Sequence, residues 1–324
     1  MDGSSAARLV GVALYLAILV LIGVAASRRM HDLRDYFAGS KRLGFLAIAF
    51  SARATGESAW LLLGLTGMGA AVGLKALWVV VGEVVGVTLA WMLLSRPFKR
   101  LTDRYDAITI PDYLEARFRD GTQHLRRIAA LALVVFVTIY VSAQIDATGK
   151  AFSSFLGWDH DLGALVGFAV VLAYVTSGGF VAVVWSDIFQ GALMVAGLAL
   201  LPIVALVSAG GPLAVWERLQ AIDPDLLHPL GGAGVGLAGL LSVIGLGAIG
   251  LGFLGSPQIF VRFLALRSES EIGRGAAVAV AWTLVADTGA VLTGLLGRAI
   301  FSRPGEALVD ALGDAERVLP MLVE

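Results

Sequence analysis

Two charged side chains lie in the middle of a long apolar run near the N-terminus. Arg53 and Glu57 are about ten residues from one end of the stretch 45–72, which at roughly 1.5 Å per residue is mid-bilayer depth if the stretch crosses a membrane. A charge there costs at least about 2.5 kcal/mol, so both side chains should face protein or a water-filled cavity. Because they are four residues apart, they could also neutralise each other on one helix face. The run therefore predicts either a polar site within a membrane or a structural ion pair.

A second unusual run lies in the apolar stretch 233–255. Between residues 245 and 257 the sequence contains five glycines and a proline. Glycine and proline weaken a helix interior, which predicts a discontinuous helix here, although dense glycine also permits close packing of membrane helices. The stretch 45–72 is equally easy to interrupt, since it has glycines at positions 56, 64, 67 and 69.

Residue types exclude most other chemistry. The chain has no cysteine, and its four histidines lie outside or at the edges of the apolar stretches, which argues against thiolate metal sites and a haem inside the membrane. No His-Glu-x-x-His motif or nucleophile triad lies within an apolar stretch, so neither an enzyme nor an organic cofactor is predicted. Glu83 and Asp287 are two further acids in apolar stretches. They could relay protons or ions, or bond to neighbouring hydroxyl or carbonyl groups, and their roles stay open, as does that of Arg53.

The composition places these residues in a bilayer. Of 324 residues, 58% are hydrophobic and 15% are charged, against roughly 25% charged residues in soluble domains. The formal net charge of −1 provides no basic field that would attract nucleic acid. A transmembrane helix needs about 20 apolar residues, and this length predicts an all-α membrane protein with about eight spans. The predicted spans are 7–27, 45–72, 75–95, 128–147, 161–180, 188–209, 233–255 and 275–301, which make residues 1–301 a transmembrane domain.

Basic residues are unevenly distributed over the connections between these spans. The connection 28–43 and those on the same side carry 16 Lys and Arg, against seven on the other side. The positive-inside rule therefore places the N-terminus outside a plasma membrane. Residues 302–324 mix acids with Leu and Val at helical spacing, which predicts an external amphipathic segment. The chain then stops without a folding reason, and we expect it to be part of a longer protein.

The order of the spans relates the two unusual stretches. They are the second and the seventh spans, so they cross the membrane in opposite directions, as equivalent helices of an inverted repeat must. In many transporters such broken helices meet near the midplane, where unwound carbonyls coordinate a cation and half-helix ends orient a substrate. The carbonyl oxygens of Ala54 and Glu57 are the candidates here.

Several short motifs carry a resemblance to a known family. Residues 35–39 are similar to its D-Y-F-x-G signature, residues 109–113 to T-[LIV]-P-[DE]-Y, residues 178–180 to G-G-F, and residues 185–190 to W-[ST]-D-x-x-Q. The chain thus resembles the N-terminal portion of the sodium:solute symporter family, most closely its sodium/proline branch. The resemblance implies an incomplete five-plus-five inverted-repeat fold of leucine-transporter type with one extra N-terminal helix. It also implies sodium-coupled import, by alternating access, of a small organic solute, with proline or a related amino acid as the first candidate.

The resemblance assigns roles to individual residues. It implies that Ala54 and Glu57 hold sodium through their backbone carbonyls and that Ser58 and Trp60 line the site. It also places a sodium-pathway acid at Asp187, at the cytoplasmic start of the sixth span. A plain helix N-cap is the alternative role for that aspartate.

The fourth span contributes the other residues implied to contact the solute. Tyr140 resembles the family's substrate-side tyrosine, and Gln144 lies four residues further along the same helix face. Tyrosine is common at membrane interfaces without any such role. Tyr140, however, is about 13 residues into its span, nearer the middle than the interface.

The sequence departs from the proline branch at two positions. Gly56 stands where the branch typically has an aspartate, and Glu57 follows it, so Glu57 supplies the missing carboxylate or the ion is held by carbonyls and hydroxyls alone. Ile249 stands where the branch tends to have an aromatic residue, which weakens the case for proline. Another solute (a sugar, a carboxylate or a vitamin), proton coupling, a sensor module of a signalling kinase and a passive channel remain alternatives. The expected partners are sodium, the solute and membrane lipid, and protein partners stay unknown.

Overall fold

The structure is a computed structural model that describes residues 3–323, and helices dominate it. Leu43 and Leu266 form an isolated parallel β-bridge. The helices in chain order are α1 Gly3–Ser27, α2 Leu33–Ala38, α3 Phe45–Ala59, α4 Thr66–Val72, α5 Leu77–Leu89, α6 Ser95–Arg104, α7 Ile110–Phe118, α8 His124–Leu156, α9 His160–Ser208, α10 Pro212–Ile222, α11 Leu237–Ala248, α12 Pro257–Ala265, α13 Ile272–Phe301, α14 Leu308–Leu312 and α15 Val318–Val323.

Six helical stretches within the described residues are long and apolar enough to cross a membrane. Two of them, Phe45–Arg104 with 60 residues and His160–Ser208 with 49 residues, would be roughly 90 and 70 Å long as straight helices, more than twice the about 30 Å of a hydrocarbon core. Each of these two stretches therefore contains two of the eight predicted spans.

A glycine in the left-handed region breaks each of the two long stretches. Gly73, between α4 and α5, has φ 61° and ψ −138°, and Gly179, within α9, has φ 53° and ψ −151°. A residue with a Cβ pays a steric penalty at such angles, whereas glycine does not. These glycines therefore let the chain turn between consecutive spans.

The second and seventh spans are interrupted, as their glycine content predicts. Helix α3 contains Ser58 at φ 53° and ψ −149°, and a π-helix, Trp60–Leu65, follows it. Helix α11 passes into a 3₁₀ helix, Ile249–Leu254, before α12 begins. Such departures from the α-helix free backbone groups from their regular partners. The prediction that both helices are discontinuous is confirmed.

The chain divides into two compact units that alternate along the sequence. The first unit comprises residues up to Gly56, Trp91–Gln190 and Ser256–Ala276. The second unit comprises Glu57–Ala90, Gly191–Gly255 and the residues from Ala277 onward. The division does not coincide with the sequence-based boundary at residue 301, because the segment after α13 packs into the second unit.

Close backbone contact characterises the second unit. A Cβ added at Gly86 of α5 would meet the carbonyl of Gly250, and one added at Gly82 would meet the carbonyl of Gly247. Glycine thus lets α5 approach α11 and the 3₁₀ helix more closely than any other residue would. Both interpretations of the glycine-rich run apply, since it is discontinuous and also tightly packed.

The segment after α13 is not one amphipathic helix. It forms the short helices α14 and α15 with a 3₁₀ turn, Ala315–Arg317, between them. Gly305 and Gly313 have φ values of 72° and 71°, which end helical geometry at both positions. Leu312 and Val318 are buried against Ala70 of α4. The sequence-based expectation of a single helical face was wrong because glycine interrupts the periodic pattern.

Candidate functional site

A buried ion pair lies within the first unit. Arg262 Nη2 donates to Asp187 Oδ2 at 2.8 Å, and the two side chains are only 4% and 11% exposed. Ser51 Oγ donates to the same carboxylate oxygen at 2.5 Å, and Thr55 Oγ1 does so at 3.1 Å. An arginine satisfies a buried carboxylate well because its planar fork offers several fixed donors.

Arg262 is bonded to every member of this group. Its Nε donates to Ser51 Oγ at 2.7 Å, and its Nη2 also donates to Thr55 Oγ1 at 2.5 Å. Its Nη1 donates to the carbonyl of Gln258 at 2.6 Å, one turn earlier on α12. The guanidinium lies 5.8 Å from the centroid of the Phe180 ring, within range of a cation–π contact.

Thr55 connects this ion pair to the fourth predicted span. The hydroxyl of Tyr140 on α8 donates to the backbone carbonyl of Thr55 at 2.9 Å. One residue therefore accepts the tyrosine through its main chain and contacts Asp187 and Arg262 through its side chain. The predicted substrate-side tyrosine and the predicted sodium-pathway acid are brought together, with one threonine between them.

Local sequence explains how the participating helices present these groups. Ser51 and Thr55 are four residues apart on α3, so both hydroxyls lie on one face. Pro257 occupies the start of α12, where its missing N–H costs nothing. In α9 the break at Gly179 precedes Asp187 by two turns. Arg262 and Asp187 thus each lie on a helix that begins at a proline or turns at a glycine.

Asp187 is not a helix N-cap. It lies inside α9, well after the break at Gly179, and its carboxylate accepts from Ser51, Thr55 and Arg262 rather than from the amides of a following turn. The alternative role for this aspartate was wrong because the predicted helix start at residue 188 lies too late in the chain.

Sequence reasoning missed Arg262. It counted this residue only among the basic residues of a connection between spans, whereas the structure buries it at 3% exposure on α12. Lys99, counted in the same way, is 1% exposed. Pro257 at a helix start and the apolar residues that surround Arg262 in the sequence were the available signals.

The second unit brings together three acids of the predicted spans. Carboxylate oxygens of Glu57, Glu83 and Asp287 all lie within 4.8 Å of one another, and all three side chains are buried. Carboxylates at this spacing in a low dielectric cannot all stay ionised without compensating positive charge. The three carboxylates are therefore close enough to interact directly.

The other predicted site residues are either partly exposed or were predicted to act through their backbone carbonyl. Ala54 is buried at 8% exposure, whereas Ser58, Trp60 and Gln144 are half-buried. Ser58 occupies the strained backbone position at φ 53°, and the Trp60 ring covers Gly64 in the π-helix. Non-glycine residues in this region of φ and ψ are rare and concentrate at functional sites.

The D-Y-F-x-G motif organises a loop outside the spans. Asp35 accepts the backbone N–H of His31 at 3.0 Å and the hydroxyl of Ser40. These hydrogen bonds, with that of Ser40 the larger cause, lower the pKa of Asp35 below its ordinary value. Arg34 forms an ion pair with Asp106 and lowers the pKa of that carboxyl in the same way. Asp35 therefore stabilises the chain on both sides of α2.

The T-[LIV]-P-[DE]-Y motif begins the short helix α7, with Pro111 in its first turn. Thr109 caps α7 by accepting the N–H of Asp112 at 3.2 Å. The ring of Tyr113 packs edge-on against Phe98 of α6, with 5.1 Å between the centroids. This motif, too, serves packing within the first unit.

Comparison with known proteins relates this arrangement to transporters. A family model described as the sodium:solute symporter family matches residues 36–324. The high-affinity proline transporter PutP of Bacillus subtilis is 39% identical over 293 residues, which are 90% of this chain and 61% of that protein. The sodium/proline symporter of Escherichia coli is 33% identical over 325 residues, 99% of this chain and 63% of that protein. The chain thus spans about three fifths of the length of these relatives.

A solved structure shows the same fold. The structure of a Na⁺-coupled sialic acid symporter aligns with a TM-score of 0.80 and 19% sequence identity, covering 99% of this chain and 66% of that chain. The alignment confirms the predicted all-α membrane architecture of leucine-transporter type.

Proposed function

Because this chain belongs to the sodium:solute symporter family, we propose that it forms part of a secondary transporter that imports a small organic solute together with sodium. Proline or a related amino acid is the first candidate, since the relatives named above are proline transporters. No covalent chemistry and no organic cofactor are involved. Sodium is the coupling ion.

The observation that carries this proposal is the double contact of Thr55. Its carbonyl is bonded to Tyr140 and its hydroxyl to Asp187. A solute that engages Tyr140 would shift the main chain of α3 and with it the surroundings of an acid that attracts sodium. Coupling between two ligands requires such a shared element, and the resulting change in affinity is reciprocal.

The sodium ligands in this proposal are the backbone carbonyls of Ala54 and Glu57. Sodium is a hard cation that takes oxygen ligands, and the helix break at Ser58 supports the availability of carbonyl oxygens. Ser58, Trp60, Tyr140 and Gln144 are the proposed solute contacts. Asp187 attracts the ion on its way to the cell interior.

The proposed cycle follows from linkage. Sodium favours an outward-open state with high solute affinity, and the inward sodium gradient then drives release inside. The protein lies in the plasma membrane with its N-terminus outside, as its basic connections favour. Its multi-pass character is consistent with six long apolar helices among the described residues.

Uptake by the full-length protein tests the proposal. The protein is reconstituted into vesicles, and accumulation of radiolabelled proline is measured with an inward sodium gradient, with potassium in its place, and with an ionophore that collapses the gradient. We expect accumulation only with the sodium gradient, and competition by the true solute when a panel of amino acids, sugars, carboxylates and vitamins is added. Uptake that ignores the sodium gradient, or solute binding without transport as in a sensor, contradicts the proposal.

A further inference from the structure

The acid proposed to attract sodium already has a cation of its own. The guanidinium of Arg262 contacts Asp187 at 2.8 Å, and both side chains are almost fully buried. Three donors, from Ser51, Thr55 and Arg262, converge on the single oxygen Oδ2. The arginine is the only one of the three that brings a full positive charge.

Binding of a second cation beside Asp187 has an electrostatic free-energy cost. Sodium and guanidinium each carry one positive charge, and at close range in a poorly screened interior they repel each other strongly. A single carboxylate compensates one of them. Sodium that approaches Asp187 must therefore weaken or displace the contact with Arg262.

The hydroxyl groups around the ion pair are suited to such an exchange. Ser51 and Thr55 each touch both the arginine and the aspartate. A hydroxyl oxygen accepts from guanidinium and can equally coordinate a hard cation. The hydroxyls of Ser51 and Thr55 can therefore bind either the guanidinium of Arg262 or a sodium ion.

The hydrogen bonds of Arg262 divide into one within its own helix and others to α3. Its Nη1 is bonded to the Gln258 carbonyl on its own helix, while its Nε and Nη2 reach Ser51 and Thr55 on α3. Movement of α12 away from α3 within the first unit would break the second set of bonds and keep the first. Arg262 would then move away from Ser51 and Thr55 together with α12.

We propose that Arg262 is an internal competitor of sodium for the Asp187 carboxylate, and that it limits sodium affinity while speeding sodium release. Arg262 is thus a positioning residue that acts on the ion through Asp187. The inference rests on the proposed function, because it assigns sodium to the surroundings of Asp187.

Sodium binding to the full-length protein tests the inference without reference to the solute. Saturation of ²²Na⁺ binding is measured for the parent, for Arg262→Gln and for the control Arg100→Gln, whose side chain is 67% exposed and pairs with Glu269 on the surface. We expect Arg262→Gln to lower the half-saturating sodium concentration at least about fivefold, in the range of ordinary coupling between sites. The Arg100→Gln variant should match the parent.

Uptake kinetics add a readout that a purely structural role would not move. Tighter sodium in Arg262→Gln should slow release, so the maximal rate should fall while the half-saturating sodium concentration falls with it. A loss of rate with unchanged sodium affinity, or a rise in the half-saturating concentration, overturns the inference. If Arg262→Gln does not reach the membrane, Arg262→Lys serves instead, because its single ammonium cannot reproduce the three-way contact. It should shift affinity in the same direction by a smaller factor.

A double-mutant comparison isolates the competition. In the Asp187→Asn background the second substitution Arg262→Gln should no longer change sodium affinity, since the arginine acts through that carboxylate. A shift that persists in this background overturns the inference. Absence of saturable sodium binding in the parent would instead refute the proposed function, so the two failures are distinguishable.

Discussion

The phenolic hydroxyl of Tyr140 donates a 2.9 Å hydrogen bond to the main-chain carbonyl of Thr55, 85 residues earlier in the chain. The bond ties α8 to α3 within the first unit. It uses a carbonyl that lies three residues before the interruption at Ser58. A change at Tyr140 therefore reaches the backbone of the helix in which the sodium ligands are proposed.

Removing that hydroxyl should weaken solute affinity while leaving the fold intact. A neutral hydrogen bond contributes about 0.5–1.5 kcal/mol, so Tyr140→Phe is expected to raise the half-saturating solute concentration roughly two- to tenfold. Solute titration of uptake by the full-length protein measures this change. The control is Tyr105→Phe, in the loop after α6, which should leave the value unchanged. If both variants had the same half-saturating solute concentration, Tyr140 would not belong to the proposed site.

The backbone at Ser58 permits a test that separates conformation from side-chain chemistry. At φ 53° and ψ −149° a residue with a Cβ carries strain of order 1–2 kcal/mol. Ser58→Gly should therefore raise the free energy of unfolding by about that amount, and Ser58→Ala should not. Both variants lose the hydroxyl, so both should weaken solute binding if it lines the site. Stability follows from denaturant titration in detergent, and affinity from solute binding to the full-length protein.

Close packing in the second unit predicts opposite outcomes for two glycines of the same span. A Cβ at Gly250 would meet the backbone of Gly82 on α5, whereas a Cβ at Gly245 on α11 has open space around it. We expect Gly250→Ala to cost about 1–3 kcal/mol through overpacking. Gly245→Ala should be neutral or stabilise by up to about 1 kcal/mol, because alanine is the better helix former. Thermal melting of the two variants in detergent checks this, and similar melting temperatures would contradict the packing described here.

The group formed by Glu57, Glu83 and Asp287 should respond non-additively to neutralisation. Their carboxylate oxygens lie within 4.8 Å of one another, and residues this close typically show interaction free energies of 0.5–3 kcal/mol. The cycle of Glu83→Gln, Asp287→Asn and the double variant, measured by denaturant unfolding, should reveal such a term. The matched control cycle combines Glu217→Gln with Asp287→Asn. Glu217 is exposed on α10, so the effects of these two substitutions should add. Additivity in both cycles would show that the carboxylates do not interact.

Much of the architecture could be predicted because its signals are local. Apolar runs of about 20 residues identify membrane spans without reference to any partner, and dense glycine marks where helices can be interrupted. The interruptions at Ser58 and at Ile249–Leu254 lie where the sequence indicated weak helix. Residues 302–324 were harder to predict because two glycines cut their periodic pattern into short turns.

The sequence alone determined that this is a helical membrane protein with two broken spans, since hydrophobicity and backbone freedom are properties of each segment. Only the tertiary structure decided which charges meet. Arg262 contacts Asp187 from 75 residues away and Ser51 from 211 residues away, and Glu83 joins Glu57 and Asp287 from two other helices. Spacing along a chain carries no information about such pairs, because a buried charge selects its partner by proximity in the folded interior and by the cost of leaving it uncompensated.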